Sequence, residues 1–419
     1  MRFRNHESGP DLPDSISKVL TGDLCAGCGG CAAVAPSAAH MSITKDGVLR
    51  PRFSRELYPA EQAMLSHICP GVGQEISQDE RRVDPIWGPY VSVETGFAKD
   101  QDTRYQAASG GALSGFLMSL IDAHYVDGVI HMKADPENPL ANVTTVSTTS
   151  QDILAAAGSR YAPSSPLDIL AKLRGDGRRF AFVGKPCDVS ALHALRRQDA
   201  GIARMVPVLV SFYCAGVPSL HAGREVLRQL NIDPTDVLQF QHRAAGWPGR
   251  ATATLKNGTQ HSMSYARSWG AILSKRVQHR CKICADGSGV FADVVFADAW
   301  ETDAKGYPSF HDRPGQSLVL CRTETGLDLV KAAQVSGHLE LSPYQLSKLA
   351  SVQPGQTRRR RVLLARLAAL WLLGRPIPRY RGMGLWAMAR RASLFDTIRN
   401  FGGMMRRASR HQIEGDGPC

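Results

Sequence analysis

Apolar positions in the central part of the chain follow two patterns, a helical period and short continuous runs. Ala112–Val126 has apolar residues at helical spacing, which predicts an amphipathic helix. Phe180–Val183 and Pro207–Phe212 are short apolar runs of the kind found in buried strands. Further helices are predicted over Leu167–Leu173 and Pro218–Gln229, and further strands at Gly128–Ile130, Ala251–Leu255 and Val290–Phe296. Strands that alternate with helices of about 10–15 residues indicate an α/β layered core.

Composition excludes disorder and fibrous repeats, because 43% of the 419 residues are hydrophobic and 21% are charged. The first residues lack the apolar segment of a secretory signal peptide, so we expect a cytoplasmic protein. In that reducing compartment, the ten cysteines are expected to be metal ligands or redox thiols rather than disulfides.

The net charge of +12 is concentrated at one end of the chain. From Arg358 onward there are fourteen Arg, no Lys and three acidic residues. Because the charge belongs to this tail and not to a whole domain, we expect no nucleic-acid partner. Its apolar stretch Val362–Leu373 is shorter than the roughly 20 residues that span a bilayer. Three interpretations stay open: a helix on an anionic membrane surface, a helical extension packed on the body, and a docking surface for acidic ferredoxin.

Three cysteines form a C-x2-C-x2-C arrangement, at Cys25, Cys28 and Cys31. This spacing places three thiolates on one turn, and the intervening glycines let the backbone wrap closely around an iron–sulfur cluster. The bacterial ferredoxin pattern adds a nearby cysteine before a proline, where this chain has Ala35. We expect Cys69, which also precedes a proline, to complete the quartet. A structural zinc ion is the alternative.

A second C-x2-C pair is formed by Cys281 and Cys284. Cys187 and Cys214 each follow the carboxyl end of a predicted strand. Loops after parallel strands gather at one edge of a sheet, so these two cysteines could converge with the pair. The alternative is that they are small buried core residues, which is what we expect of Cys321.

Several segments together carry a resemblance to a known family. In chain order they are LCAGCGGC, ASGGALSGFL, GSRYAPS, GKPCDVSAL, FYCAGVPS, HRAAGWPG, and CKICAD followed by ADVVFADAW. Over roughly residues 20–345 the sequence resembles the beta subunit of coenzyme F-420-reducing hydrogenases and dehydrogenases. That family also includes 7-hydroxymethyl chlorophyll a reductase and ferredoxin-dependent vinyl reductases.

The resemblance implies FAD as the organic cofactor and [4Fe–4S] clusters that relay single electrons to it. It also implies one cluster near the flavin with the ligands Cys187, Cys214, Cys281 and Cys284. The chain departs from the family at two places. The usual Gly-Asp reads Ala297-Asp298, and the N-terminal cysteine run lacks its nearby fourth member. The first cluster therefore has three irons or uses Cys69.

The pyrophosphate of FAD requires backbone N–H groups and a helix N-terminus. The turn Ser109-Gly110-Gly111 offers both before the helix predicted from Ala112, although an ordinary helix cap is the alternative. A second turn, Ser159-Arg160-Tyr161, offers a cation and an aromatic ring. Arg243 is expected near the isoalloxazine or the substrate, with a surface arginine as the alternative. The chain has no G-x-G-x-x-G at a strand–helix junction, and no acid–base group stands out as catalytic.

We expect an α/β protein with α+β elements in three parts. These are a ferredoxin-like iron–sulfur segment over residues 1–85, a FAD- and [4Fe–4S]-binding catalytic body over 86–345, and an Arg-rich helical tail over 346–419. The expected function is an oxidoreductase that relays electrons between ferredoxin, or another redox protein, and a small organic substrate through two [4Fe–4S] clusters and FAD. A coenzyme F-420 reductase and a non-catalytic electron-transfer subunit of a larger complex are the alternatives.

Overall fold

An eight-stranded mixed sheet organises the centre of this computed structural model, which describes residues 10, 12–77, 81–301 and 311–414. The strands in chain order are β1 (Ala39–Ile43), β2 (Leu49–Phe53), β3 (Gly73–Glu75), β4 (Arg82–Asp84), β5 (Gly88–Tyr90), β6 (Ser92–Ala98), β7 (Gly128–Ala134), β8 (Asn142–Ser147), β9 (Phe180–Gly184), β10 (Val208–Phe212), β11 (Val237–Ala244), β12 (Arg250–Leu255), β13 (Gln260–Ser264), β14 (Val294–Asp298), β15 (Ser317–Cys321), β16 (Leu339–Pro343) and β17 (Arg379–Arg381).

The α-helices surround this sheet and form most of the C-terminal tail. In chain order they are α1 (Asp14–Thr21), α2 (Gly30–Val34), α3 (Pro59–Ile68), α4 (Gln101–Gln106), α5 (Ala112–Asp122), α6 (Ser150–Ala155), α7 (Leu170–Leu173), α8 (Pro186–Arg196), α9 (Ala200–Met205), α10 (Leu220–Gln229), α11 (His279–Lys282), α12 (Glu324–Val335), α13 (Leu349–Val352), α14 (Pro354–Leu372), α15 (Leu385–Ala389) and α16 (Leu394–Glu414).

The central sheet has the strand order β16-β6-β15-β14-β10-β9-β7-β8. Its four middle strands, β14, β10, β9 and β7, are parallel, and the strands on both sides of them are antiparallel. Every residue of β9 is buried, because helices cover both faces of the parallel part. This burial explains the continuous apolar runs in the sequence, and the expected mixed α/β architecture is confirmed.

Alternate side chains of β9 pack into two separate cores. Phe180 and Phe182 lie in one core with Leu192 of α8, whereas Ala181 and Val183 lie in the other core with α5. After β9 the chain passes directly into α8, and this helix carries Cys187, one of the predicted cysteines.

Several element boundaries differ from the sequence prediction, and two of them have a clear local cause. Strand β14 begins at Val294 and not at Val290, because the preceding residues form a turn around Asp286, whose carboxylate accepts the N–H groups of Ser288 and Gly289. Helix α7 covers only the second half of its predicted range. Leu167 precedes it and instead donates its N–H to the carbonyl of Cys28 at 3.1 Å.

A separate antiparallel sheet, β11-β12-β13, packs against α10. Its buried face contributes Phe240, Ala253 and Met263 to one apolar cluster with Leu227 of that helix. Arg243 lies near the end of strand β11, so this small sheet positions one of the predicted site residues.

The C-terminal tail folds back onto the N-terminal segment. Leu363 and Leu370 of α14 share an apolar cluster with Leu24 and with Ile283, which lies between the cysteines of the C-x2-C pair. Strand β17 pairs in parallel with β3. Within the described ranges, no helix combines the length and the apolar character needed to cross a lipid bilayer.

Candidate functional site

The first predicted cysteine quartet comes together around the start of α2. Cys25 and Cys28 lie in the loop before this helix, Cys31 is its second residue, and Cys69 follows the last turn of α3. Burial raises the pKa of Cys69 to about 11, with a contribution from Cys25. Burial also raises the pKa of Cys31 well above its usual value, and the three other thiols add to this. The four thiols are thus close enough to repel one another when ionised.

Glycines allow this loop to pack tightly against the body. Gly29 has a φ of +85°, and a Cβ there would lie 2.8 Å from the amide nitrogen of Asp168 and 2.9 Å from the carbonyl oxygen of Ser165. Gly27 has a φ of +72° and directs its N–H toward the sulfur of Cys25 at 3.4 Å. The backbone conformation at these two positions therefore requires glycine.

The second predicted quartet also converges, at the carboxyl ends of two parallel strands. Cys187 follows β9, Cys214 follows β10, and these two neighbouring strands are parallel. Both cysteines line one small pocket together with Cys281 and Cys284. Burial raises the pKa of the Cys187 thiol well above its usual value. The N–H of Val217 donates to the sulfur of Cys281 at 3.3 Å.

The two quartets lie next to each other. Ala26, from the loop of the first quartet, lines the pocket of the second. Arg280 is 2% exposed and interacts electrostatically with thiols of both quartets. Burial opposes its charge, yet Tyr380 and three thiols of the second quartet raise the pKa of this guanidinium overall. It donates to the carbonyl of Pro70 at 2.9 Å and to the hydroxyl of Tyr380 at 2.8 Å.

In the part of the chain that the structure describes, no group of three or more His, Cys, Asp or Glu side chains is gathered as a lone metal ion requires. A [4Fe–4S] cluster has a different demand, because each thiolate binds its own iron at a corner of the cluster. All eight cysteines are free thiols and so remain available as ligands.

A buried ion pair forms the centre of the predicted flavin region. Arg243 donates to both carboxylate oxygens of Asp298, at 2.7 and 2.8 Å. Burial opposes the charge of Asp298, but the guanidinium of Arg243 holds the pKa of this carboxyl below its usual value. Trp247 donates to the same carboxylate at 3.1 Å and stacks on Trp300 with ring centroids 4.6 Å apart. Tyr265 lies under the guanidinium, 4.8 Å from it.

Three further predicted residues meet this centre. Ser109 donates from its side chain to the carbonyl of Ala297 at 3.0 Å and also interacts with the carboxylate of Asp298. The N–H of Ser159 donates to the carbonyl of Arg243 at 2.9 Å. Tyr161 lies within electrostatic reach of the same guanidinium. The structure therefore gathers these three residues around one ion pair, Ser159 through its backbone.

Arg160 does not contact the Arg243–Asp298 ion pair. Its guanidinium donates to the side chain of Asn142 and to the carbonyls of Phe240, Pro139 and Ala141, at 2.6 to 2.9 Å. Burial lowers its pKa to about 10. These bonds tie the small antiparallel sheet to the β8 region, so the side chain acts as a structural bridge in this structure.

Contacts inside the protein require both glycines of the Ser109-Gly110-Gly111 turn. Gly110 and Gly111 have φ values of +78° and +73°. A Cβ on Gly110 would lie 2.6 Å from the carbonyl oxygen of Gly315, and one on Gly111 would lie 2.7 Å from that of Thr103. Substitution of either glycine would therefore strain the backbone whether or not a ligand binds here.

Sequence reasoning missed several polar residues beside the cysteines. Arg280 immediately precedes the C-x2-C pair, and Lys185 and Asp188 flank Cys187 as a buried ion pair with an N–O distance of 2.8 Å. Arg359 of α14 donates to the carbonyl of Cys214 at 3.0 Å. The first three are adjacent to cysteine motifs, which was an available signal. Arg359 lies 145 residues from its acceptor, and no local pattern indicates that contact.

Comparison with known proteins identifies the fold and the family. Two family models of the "Coenzyme F420 hydrogenase/dehydrogenase, beta subunit" match, the N-terminal one over residues 93–171 and the C-terminal one over residues 177–346. A chain of the F420-reducing [NiFe] hydrogenase complex from Methanosarcina barkeri is 20% identical, with a TM-score of 0.51, over 68% of this chain and 96% of that chain. That similarity shows a shared fold.

Curated relatives agree with this assignment. An F(420)H(2) dehydrogenase subunit of Methanosarcina mazei is 24% identical over 327 residues, which cover 75% of this chain and 84% of that protein. The chloroplastic 7-hydroxymethyl chlorophyll a reductase of Oryza sativa subsp. japonica is 28% identical over 240 residues, or 56% of this chain and 47% of that protein. The two family matches together cover more than half of the sequence, and the chain belongs to the family of coenzyme F420 hydrogenase/dehydrogenase beta subunits.

Proposed function

We propose that this protein is an oxidoreductase with two [4Fe–4S] clusters and FAD. It relays electrons between a one-electron donor, ferredoxin or another redox protein, and a small organic substrate. The observation that carries the proposal is the gathering of eight cysteines into two adjacent groups of four, with Arg280 between them. Clusters carry single electrons and a flavin exchanges them for a pair, which is the chemistry these groups supply when bound.

The cysteine surroundings suit iron–sulfur clusters. Each group offers four free thiols, the usual ligand set of a [4Fe–4S] cluster. Backbone N–H groups of Gly27 and Val217 point at cysteine sulfurs, and Arg280 and Arg359 supply positive charge nearby. These donors stabilise negative charge on the sulfurs of a cluster. In this proposal the ferredoxin-like N-terminal segment holds one cluster and the body holds the other.

The flavin is proposed to lie between the Ser109-Gly110-Gly111 turn and the Arg243–Asp298 pair. The turn precedes α5, whose N-terminus favours phosphate. Asp298 holds the guanidinium of Arg243 in place, so the cation is oriented before a ligand arrives. Trp247 and Trp300 are 3% and 8% exposed and keep water away from the pair. In the proposal, Ser159 and Tyr161 contribute through their contacts with Arg243, whereas Arg160 acts only through packing.

One preparation tests the whole proposal. Protein purified anaerobically should contain about eight iron, about eight sulfide and about one FAD per chain, with a visible spectrum of both cofactor types. Stoichiometric zinc without iron, or iron without flavin, would overturn it. About four iron, with Cys25→Ala leaving the spectrum unchanged, would remove the N-terminal cluster.

A variant of the ion pair tests the flavin site. Asp298→Asn keeps the shape of the side chain but releases Arg243, and we expect protein that has lost FAD and kept its iron. Asp176→Asn is the control, because Asp176 also pairs with an arginine, Arg178, at the surface. Full FAD retention in Asp298→Asn would place the flavin elsewhere.

Coenzyme F420 is a second candidate for the organic substrate. The curated relatives include the F(420)H(2) dehydrogenase subunit and a "Coenzyme F420-dependent sulfite reductase" of Methanocaldococcus jannaschii, which is 24% identical over 81% of this chain and 50% of that protein. Bleaching of F420 absorbance by the anaerobic protein with reduced ferredoxin would support this substrate. No turnover with either partner in a protein that contains flavin and iron would favour a non-catalytic electron-transfer subunit.

A further inference from the structure

The C-terminal tail builds a strongly cationic cavity of about 450 Å³ beside the second cysteine quartet. Six arginines and one lysine line it: Arg358, Arg359 and Arg366 from α14, Arg399, Arg406 and Arg407 from α16, and Lys282 from the C-x2-C pair. Its described lining contains no acidic side chain. A cavity lined by one sign of charge concentrates ligands of the opposite sign.

These cations are only partly compensated by the protein. Arg358 pairs with Asp396 at 2.8 Å, and Arg366 donates to the side chain of Asn400. Within the described residues, Arg406 and Arg407 form no ion pair. Burial lowers the pKa of Arg366 to about 10, with contributions from the neighbouring Arg359, Arg407 and Arg358. An anionic partner would relieve this repulsion.

The inner wall of the cavity is the cysteine site itself. Cys281 and Ala215 line it, and Arg359 and Cys281 belong to both this cavity and the pocket of the second quartet. A partner seated here therefore lies next to the proposed cluster. That position suits electron transfer to the cluster. A regulatory ligand would have no need to bind beside the cysteines.

Exposed apolar side chains continue the surface along α16. Leu394, Phe395 and Ile398 are 75%, 72% and 63% exposed. Phe395 lies one helical turn before Arg399, so the two side chains share a face of the helix. Exposed aromatic and aliphatic residues combined with arginine are typical of protein interfaces. A small anion would use the charge alone, whereas an acidic protein would use both features.

We propose that the cavity and the adjacent Leu394–Ile398 turn form the docking surface of an acidic one-electron carrier protein. The inference rests on the proposed function, since it assigns a site to the redox partner named there. One electron would pass from the bound carrier, which would be oxidised, to the [4Fe–4S] cluster that Cys187, Cys214, Cys281 and Cys284 would hold, which would be reduced. Two such transfers supply a two-electron reduction of the organic substrate.

Charge reversal of two exposed arginines tests the surface in the full-length holoprotein. Binding of an acidic bacterial ferredoxin is measured by calorimetry for the wild type, for Arg406→Glu/Arg407→Glu, and for Arg390→Glu/Arg391→Glu. The last pair lies in the same tail, is also exposed and does not line the cavity. We expect the first variant to weaken binding by about tenfold or more and the control to change it by less than about twofold. Wild-type binding should also weaken between about 50 mM and about 300 mM salt.

A second readout separates docking from cluster damage. Reduction of the protein by dithionite should give the same visible bleaching in all three forms, because dithionite does not need the docking surface. Equal weakening by the two variants, or ferredoxin binding that ignores salt, would overturn the inference. Loss of iron or flavin from the wild type would instead overturn the proposed function.

Two further probes decide between occupants. Binding of inorganic pyrophosphate in the cavity, lost in Arg406→Glu/Arg407→Glu while ferredoxin never binds, would replace the carrier with a small anion. Binding to phosphatidylserine-containing vesicles with the same pattern would replace it with a lipid surface. Either result overturns the docking proposal.

Discussion

At the scale of single residues, Arg280 is a buried arginine between the two cysteine quartets. It is a buried cation that acts on thiols of both cysteine quartets, and its Nε has no hydrogen-bonding partner among the described residues. A positive charge stabilises the reduced, more negative form of a nearby cluster. Arg280 is therefore placed to raise the reduction potentials of both proposed clusters at once.

Removal of this charge should shift both potentials. In Arg280→Met we expect both proposed clusters to become harder to reduce, by roughly 50–100 mV, as loss of one buried charge at close range implies. Titration of the EPR signals against potential measures the shift. Tyr380→Phe is the control, because it removes the 2.8 Å hydrogen bond to Arg280 but leaves the cation. A shift in one cluster only would contradict the shared position.

His242 is a second residue whose environment invites a test. It is 1% exposed, both ring nitrogens lack hydrogen-bonding partners in the described part of the chain, and burial holds its pKa well below the usual value. Its ring packs against the edges of Phe240 and Tyr161. A buried polar group without a partner costs about 1–3 kcal/mol.

Replacement of this ring by an apolar one should stabilise the protein. We expect His242→Phe to raise the free energy of unfolding by about 1 kcal/mol, measured by urea denaturation. If the variant is more stable but loses FAD or turnover, His242 has a functional role that outweighs its cost. A destabilised variant would show that the imidazole has a partner after all.

At the scale of elements, α14 converts the tail into part of the core. Leu363 is fully buried in the cluster with Leu24 and Ile283, whereas Leu372 on the same helix is 62% exposed. Arg360 of the same helix is buried and donates to the carbonyl of Ala285, next to the C-x2-C pair. The helix thus supports the cysteine loop from outside.

Truncation of one buried leucine should show this support. Leu363→Ala is expected to lower the free energy of unfolding by about 2–5 kcal/mol, because it leaves a cavity in a packed cluster. Leu372→Ala should stay within about 0.5 kcal/mol of the wild type. Chemical denaturation monitored by far-UV circular dichroism compares them. Similar losses in the two variants would mean that the helix does not pack as described.

Local patterns predicted the elements well and the long-range contacts poorly. The apolar runs that became β9 and β10 were recognisable because a strand buried on both faces must be apolar throughout. The convergence of Cys187 and Cys214 also followed, because neighbouring parallel strands end at one edge. By contrast, the contact of Arg359 with Cys214 and the pairing of Arg243 with Asp298 join distant residues. No period of hydrophobicity encodes such contacts.

At the scale of the whole molecule, buried histidines connect stability to pH. The ring of His131, on β7, is hydrogen-bonded to the hydroxyl of Ser147 on the neighbouring strand β8 at 2.7 Å, and burial lowers its pKa to about 4. The unfolded chain therefore binds this proton near pH 6.5, and the folded chain binds it only near pH 4. Stability must fall as the pH drops through that window.

A substitution at this position should reduce the loss of folding stability at acid pH. His131→Gln keeps a side chain able to bond Ser147 but cannot titrate, so it should remove as much as roughly 3 kcal/mol of the stability lost between about pH 6.5 and about pH 4. Urea midpoints at several pH values measure this difference. His261→Gln, at an exposed position, is the control. An unchanged pH slope in His131→Gln would show that the folded protein accepts this proton normally.

The parallel pairing of β3 with β17 has a consequence for biosynthesis. Gly73 lies so close to the strand of Arg379 that a Cβ there would come within 2.6 Å of its carbonyl oxygen. Only two residues separate Gly73 from the Cys69–Pro70 pair, yet Arg379 is translated after all eight cysteines of the two quartets. A nascent protein on the ribosome cannot close that junction until the tail has emerged. The β3–β17 pairing beside the N-terminal cysteines therefore forms late in synthesis, after both cysteine quartets have been translated.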